Sequence, residues 1–157
     1  MLVTDIEQRL SQLGWILPEP PKQSGNYVLA KKVGNLLYIS GVTCKFNGVI
    51  KFQGKVGHDI TIDEAYEAAK VCALNHLSLI RSVTGDLNKV KNIIKMVGYV
   101  NCDPDFADVP KVINGASDLL IELFGEKGKH ARCAVGVASL PGLACAETDL
   151  IVEIDSH

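Results

Sequence analysis

Between Thr61 and Gly85 the sequence specifies one long helix, and that helix restricts the rest of the chain more than any other segment. Thr61 and Glu64 form a capping box, each able to satisfy a backbone N–H that the helix start leaves without a partner. Ala65, Ala69, Cys72, His76, Ile80 and Val83 then recur at helical spacing, and Gly85 ends the run. A stripe this rich in small residues suits close packing on a sheet.

The sheet is written on both sides of that helix. Tyr27 to Lys31, Leu36 to Ser40 and Val49 to Gln53 are short β-type runs, separated by Gly34-Asn35 and Asn47-Gly48, which favour tight turns. They read as an antiparallel meander. After Asp86 to Asn88, the segment Val90 to Asn101 alternates as a strand, with Ile94, Met96 and Val100 against Lys95, Tyr99 and Asn101. A second helix carries Val109, Val112, Ile113, Ala116, Leu120 and Leu123, with Pro110 in its first turn and Gly125 at its end. Strands from Arg132 to Ala138 and from Cys145 to Ile154 close the chain, joined by Leu140, Pro141 and Gly142.

Residues 1–26 stand apart: a short helix begun by a Thr4/Glu7 capping box, carrying Ile6, Leu10 and Leu13 and stopped by Gly14, then a stiff connector from Pro18 to Pro21. Trp15 is expected to anchor this helix on the outer layer. The order predicts an α+β fold, a mixed β-sheet with two helices packed on one face plus the short N-terminal helix. At 157 residues, 47% of them hydrophobic, the chain makes a single domain.

Two helices leave one sheet face bare. Cys133, Val135, Val137 and Ile151 fall on it and predict a homo-oligomer. A net charge of -2 supplies no positive field for phosphates, so nucleic acid is a poor partner. No apolar stretch is long enough for a bilayer, and acidic groups near the start do not suit a signal peptide, so a cytoplasmic protein without membrane attachment is expected. The five cysteines are scattered with no C-x-x-C pair, which argues against disulfides and zinc; only Cys72 with His76 has ligand spacing, and core packing explains that pair better.

Arg132 opens a strand whose same-side neighbours are Ala134, Gly136 and Ala138. Beside such small residues its planar fork has room for a carboxylate. Pairing with a surface acid is the competing expectation. Glu147 could orient water, or with Asp149 and Glu153 simply form a solvated face. Asn114-Gly115 is costly inside a helix and implies a packing demand or a polar task. Tyr27 and Ser40 could offer hydroxyls to a pocket or serve structure alone. Alternation turns Cys133 away from Arg132, which disfavours a thiol nucleophile beside the guanidinium.

The run from Gly34 to Gly41, Gly85-Asp86-Leu87, Val97 to Asn101, Phe106 to Gly115 and above all His130 to Pro141 resembles the RidA (YjgF) family, also called the endoribonuclease L-PSP family. The likeness extends from about Tyr27 onward. It implies a chorismate-mutase-like fold of the Bacillus type, assembled as a homotrimer with clefts between subunits. It also implies hydrolysis of 2-imino or 2-enamino acids to 2-keto acids and ammonia, without metal or organic cofactor. Arg132 matches the arginine that binds the substrate carboxylate, and Glu147 the carboxylate that places water. Tyr27, Ser40 and Asn114 match pocket positions, and main-chain groups at Cys133 and Ala134 would bond the imine.

The chain departs from the family pattern in having Ala134 where a cysteine is typical, His130 where a proline is common, and the added N-terminal segment, which marks a divergent subgroup. A 2-imino/2-enamino acid deaminase is the leading expectation. The alternatives are a non-catalytic trimer that binds a small carboxylate as regulator or carrier, and a ribonuclease, which the acidic charge disfavours.

Overall fold

The computed structural model describes residues 5–155. Its elements are α1 (Ile6–Gln12), β1 (Ala30–Val33), β2 (Leu36–Thr43), β3 (Lys45–Phe46), β4 (Val49–Ile50), α2 (Ile62–Thr84), β5 (Val90–Asn101), α3 (Val109–Phe124), β6 (Ala131–Val137) and β7 (Ala146–Ile154). Five strands form one mixed sheet in the order β1-β2-β7-β5-β6, with β5 and β6 parallel and the other pairs antiparallel. The α+β reading holds.

Helix α2 begins and ends where its local signals place it. The Thr61 hydroxyl accepts a hydrogen bond from the Glu64 N–H at 3.1 Å, and Gly85 closes the helix in the left-handed conformation at φ 79°. Ala65, Ala69, Cys72, His76 and Ile80 are all fully buried. Val83 is 49% exposed, because it lies in the last turn beyond the end of the sheet contact.

Helix α3 lies beside α2, and Gly115 marks their crossing. A Cβ there would collide with the main-chain carbonyl of Tyr66 on α2. The packing demand implied by a glycine inside a helix is therefore this close approach of two backbones. Gly98 does the same for the sheet, since a Cβ would come within 2.6 Å of Ile113 on α3.

Three expectations need correction. The run from Val49 to Gln53 does not continue a meander: β4 pairs with β3 in a separate two-stranded sheet, and β7 takes the place beside β2. In β5 a register shift between Ile93 and Lys95 buries Ile93 and leaves Ile94 38% exposed, the reverse of simple alternation. Asn101 is buried rather than on a polar face, its Nδ2 donating to the carbonyls of Gly54 and Ala144 at 3.3 Å each.

For α1, Thr4 lies outside the described residues, and the cap is Asp5, whose carboxylate accepts from the Gln8 N–H at 3.0 Å. Leu10 is 3% exposed, and burial of such a side chain contributes about 2 kcal/mol. The Glu7–Arg81 pair at 3.0 Å is half exposed and contributes less than about 1 kcal/mol, so Leu10 holds the helix. Trp15 packs at the edge of the core with the Lys70 ammonium 5.3 Å from its ring. The connector that follows is clamped to the body: buried Ser78 donates to the Pro18 carbonyl at 2.6 Å, and the Glu19 N–H donates to Asn47 Oδ1 at 2.8 Å.

Both helices cover one face of the sheet. The other carries Tyr38, Lys95, Val97, Tyr99, Cys133, Val135, Val137 and Ile151, all half-buried or exposed. No helix of the described residues is long and apolar enough to cross a membrane.

Candidate functional site

The expected site residues fall into two groups that one chain does not bring together. Arg132 and Asn114 form the first, Tyr27 and Glu147 the second.

Arg132 projects from β6 onto the helix face, where its Nη1 donates to Asn114 Oδ1 at 2.8 Å and to Ser117 Oγ at 3.1 Å. Asn114 and Ser117 are three residues apart on α3 and so share one side of it. The polar task of Asn114 is thus to hold this guanidinium. Ser117 is in turn held by His130, 2.9 Å from its hydroxyl, and His130 Nδ1 is 2.7 Å from the Gly128 carbonyl. A carbonyl only accepts, so Nδ1 carries the proton and Nε2 accepts from Ser117. Burial lowers the His130 pKa, and the nearby Arg132 charge lowers it further, which favours the neutral ring that this chain of bonds requires.

All of these partners are neutral. Among the described residues Arg132 makes no ion pair, contrary to the expectation of a surface acid beside it. A half-buried guanidinium oriented by two neutral side chains, with no ion-pair partner among the described residues, is arranged to receive an anion. Ser117 and His130 were not readable as a set from the sequence; the three-residue spacing of Asn114 and Ser117 is the one local sign of it.

The second group lines a cavity of about 260 Å³ between the connector, β2, β7 and the loop at Pro141 and Gly142. Glu147 faces it from β7, opposite Thr43 of β2 and Tyr99 of β5. Gly41 leaves room for the carboxylate, since a Cβ there would sit 3.1 Å from Glu147 Oε2. Partial burial raises the Glu147 pKa, and neighbouring Asp149 raises it further. Asp149 accepts a hydrogen bond from the Tyr99 hydroxyl at 3.1 Å. Tyr27, 44% exposed, lines the same cavity.

The side chains of Ser40 and Cys133 stand outside both groups. The Ser40 hydroxyl donates to the Val28 carbonyl at 2.8 Å, which pins the segment leading into β1. Cys133 is exposed on the bare sheet face, away from Arg132, while Ala134 packs towards the core. Their strand is the outer one of the sheet, paired only with β5, so its outer edge is open. Cys72 and His76 are fully buried core residues, His76 Nε2 lying 2.8 Å from the Thr148 hydroxyl and 3.0 Å from its carbonyl.

A larger hollow of about 560 Å³ lies around Lys55, Phe106 and Gly136. Its one cation is already engaged, because Lys55 Nζ donates to the Ala138 carbonyl at 2.7 Å and to Asn101 Oδ1 at 3.1 Å.

Comparison with known proteins adds relatives along the whole chain. Residues 7–153 match the family described as "YjgF/chorismate mutase-like, putative endoribonuclease". Protein TCP17 of Trypanosoma cruzi is 40% identical over 152 residues, covering 96% of this chain and 95% of the relative. A crystal structure of a protein with unknown function from Agrobacterium tumefaciens is 46% identical and superposes with a TM-score of 0.88, covering 96% of this chain and 92% of that one. A Shewanella oneidensis protein named "putative endoribonuclease" is 33% identical with a TM-score of 0.93, covering 96% and 100%.

Proposed function

Because this chain belongs to the YjgF/chorismate mutase-like family, which includes RidA, we propose that it hydrolyses 2-imino or 2-enamino acids to 2-keto acids and ammonia at a cleft shared by two copies of itself. The observation that carries the reading is Arg132 itself: a guanidinium held by neutral Asn114 and Ser117, without an ion-pair partner among the described residues.

In this reading Arg132 grips the carboxylate of the imine, and open-edge main-chain groups at Cys133 and Ala134 bond its nitrogen. Glu147 takes a proton from water as the oxygen adds to the imine carbon, giving a carbinolamine. That proton passes to the nitrogen; Glu147 then takes the carbinolamine hydroxyl proton and delivers it to the nitrogen as the C–N bond breaks, so that ammonia leaves, a keto acid remains and the carboxylate is restored. Imines are intrinsically labile to water, so positioning supplies most of what the reaction needs. Burial and then Asp149 raise the Glu147 pKa above the ordinary glutamate value, which makes its carboxylate a stronger base toward water.

The geometry supports a role for a second copy in this reading. Glu147 and Arg132 project from opposite faces of one sheet, so a cleft containing both takes each from a different chain. The apolar residues on the bare face, Val97, Val135, Val137 and Ile151, supply a surface on which copies could associate, and a homotrimer with such clefts is the assembly proposed.

The deciding experiment is the decay of 2-iminopropionate generated in situ by an amino acid oxidase. The protein should accelerate it, and Arg132→Ala should abolish the acceleration. An undiminished Arg132→Ala protein refutes the assignment. Binding of 2-oxobutyrate without any effect on imine decay replaces it with a non-catalytic carboxylate-binding protein.

A further inference from the structure

The Glu147 cavity has a feature that neither Arg132 nor Glu147 accounts for. Lys22, from the connector, and Lys45, from β3, both line it. Both also line an adjoining hollow of about 270 Å³ that runs towards Asn47 and Gly48, which Glu147 and Tyr27 do not line. The two lysines therefore stand where the cavity extends away from Glu147.

The main chain is pinned at Lys45 and shortly before Lys22. Lys22 follows a connector fixed by the Ser78–Pro18 and Glu19–Asn47 hydrogen bonds. The main chain at Lys45 is fixed by Asn75, 2% exposed, whose Nδ2 donates to the Lys45 carbonyl at 2.6 Å and to the Thr43 carbonyl at 3.1 Å. Neither ammonium is within ion-pair distance of an acid among the described residues, although Glu19 lines the adjoining hollow. Ser24 adds a further polar group to the same cavity.

We propose that Lys22 and Lys45 select substrates carrying a second carboxylate, so that this protein acts on 2-imino dicarboxylic acids in preference to 2-imino acids with apolar tails. The inference rests on the deaminase reading of the cavity. Arg132 of one copy takes the carboxylate next to the imine, Glu147 addresses the imine carbon, and the lysine pair takes the distal carboxylate. An ionised Glu147 would repel a dianion, and two cations beyond it offset that repulsion. A small cavity with charged donors at both ends discriminates by chain length and by tail charge, since a tail without charge leaves the lysines solvated and gains nothing from them.

The test is calorimetric binding of 2-oxoglutarate and of 2-oxobutyrate to the full-length oligomer, independent of turnover. The dicarboxylate should bind about tenfold or more tightly, and the preference should fall at least about fivefold in Lys22→Ala/Lys45→Ala and weaken as salt is raised. Equal binding of the two acids, binding of neither, or a preference that survives in the double variant overturns the inference. A double variant whose oligomer dissociates while its ligand preference is unchanged overturns it as well, and assigns the lysines to assembly. Assays of 2-iminopropionate decay separate this outcome from the fate of the deaminase reading. Accelerated decay with no preference for dicarboxylates leaves the enzyme and removes the selectivity, whereas a dicarboxylate preference without acceleration of any imine does the reverse.

Discussion

Arg132 and Glu147 stand on opposite faces of the same sheet, with β5 lying between their strands. Arg132 turns to α3, while Glu147 alternates with buried Ala146 and Thr148 and so turns to the bare face. A single copy does not let one ligand touch both.

Complementation between copies follows from this separation. Arg132→Ala and Glu147→Gln proteins should each be inactive on 2-iminopropionate. In the trimer proposed above, equal amounts unfolded together and refolded should recover about one quarter of the parent activity, the share of clefts that draw an intact residue from each of two copies. Activity assayed before and after mixing checks it, and no recovery places the two residues in separate sites.

Ser117→Ala removes one of the two acceptors that orient Arg132 and leaves its charge intact. Loss of such a bond costs about 1 kcal/mol, so kcat/KM should fall about fivefold, carried mainly by KM. His130→Ala should move KM in the same direction by way of Ser117. Ser117→Thr keeps the hydroxyl and should restore most of the loss, which a merely structural role for this position would not explain.

The acid limb of the rate profile should report Glu147. Burial and then Asp149 raise its pKa, so as pH falls the carboxylate takes up a proton earlier than an ordinary glutamate, and activity that needs the ionised form declines from a higher pH. Asp149→Asn keeps an acceptor for Tyr99 and removes the smaller of the two causes. Its limb should lie at lower pH than the parent's while the alkaline limb stays in place.

His76 makes stability depend on pH without touching the site. Full burial lowers its pKa from 6.5 to about 4, so the unfolded chain binds a proton in this window while the folded chain does not. Stability is therefore complete above about pH 6.5, falls as pH drops towards 4, and loses about 3 kcal/mol from this group in all. Denaturant unfolding at pH 7 and pH 5 should show the slope, and it should be shallower in His76→Gln.

What could be read from the sequence was what neighbours along the chain decide. Thr61 with Glu64, Gly85 and Gly125 fix helix ends within a few residues, and the alternation from Val90 to Asn101 gives both ends of β5. Arg132 stood out by its small neighbours, and Asn114 by its poor fit to a helix. The partner of β2 was not readable, because β7 pairs with it from more than a hundred residues away and local pattern carries no address. The shift at Ile93 is likewise a property of two strands together. His130 and Ser117 are ordinary residues until the fold sets them side by side, and Lys22 and Lys45 look like solvated charges until the connector is seen clamped beside β3.

The crossing at Gly115 bears on how such a site would work. Asn114, which holds Arg132, is the residue immediately before the point where α2 and α3 touch backbone to backbone, a junction with no slack in which to slide or tilt. The arginine is thus mounted on a stiff frame and behaves as a mould cast before any guest arrives. A ligand meeting it has little ordering entropy to overcome, and changes of preference over evolution are to be sought in the cavity wall rather than in the mount.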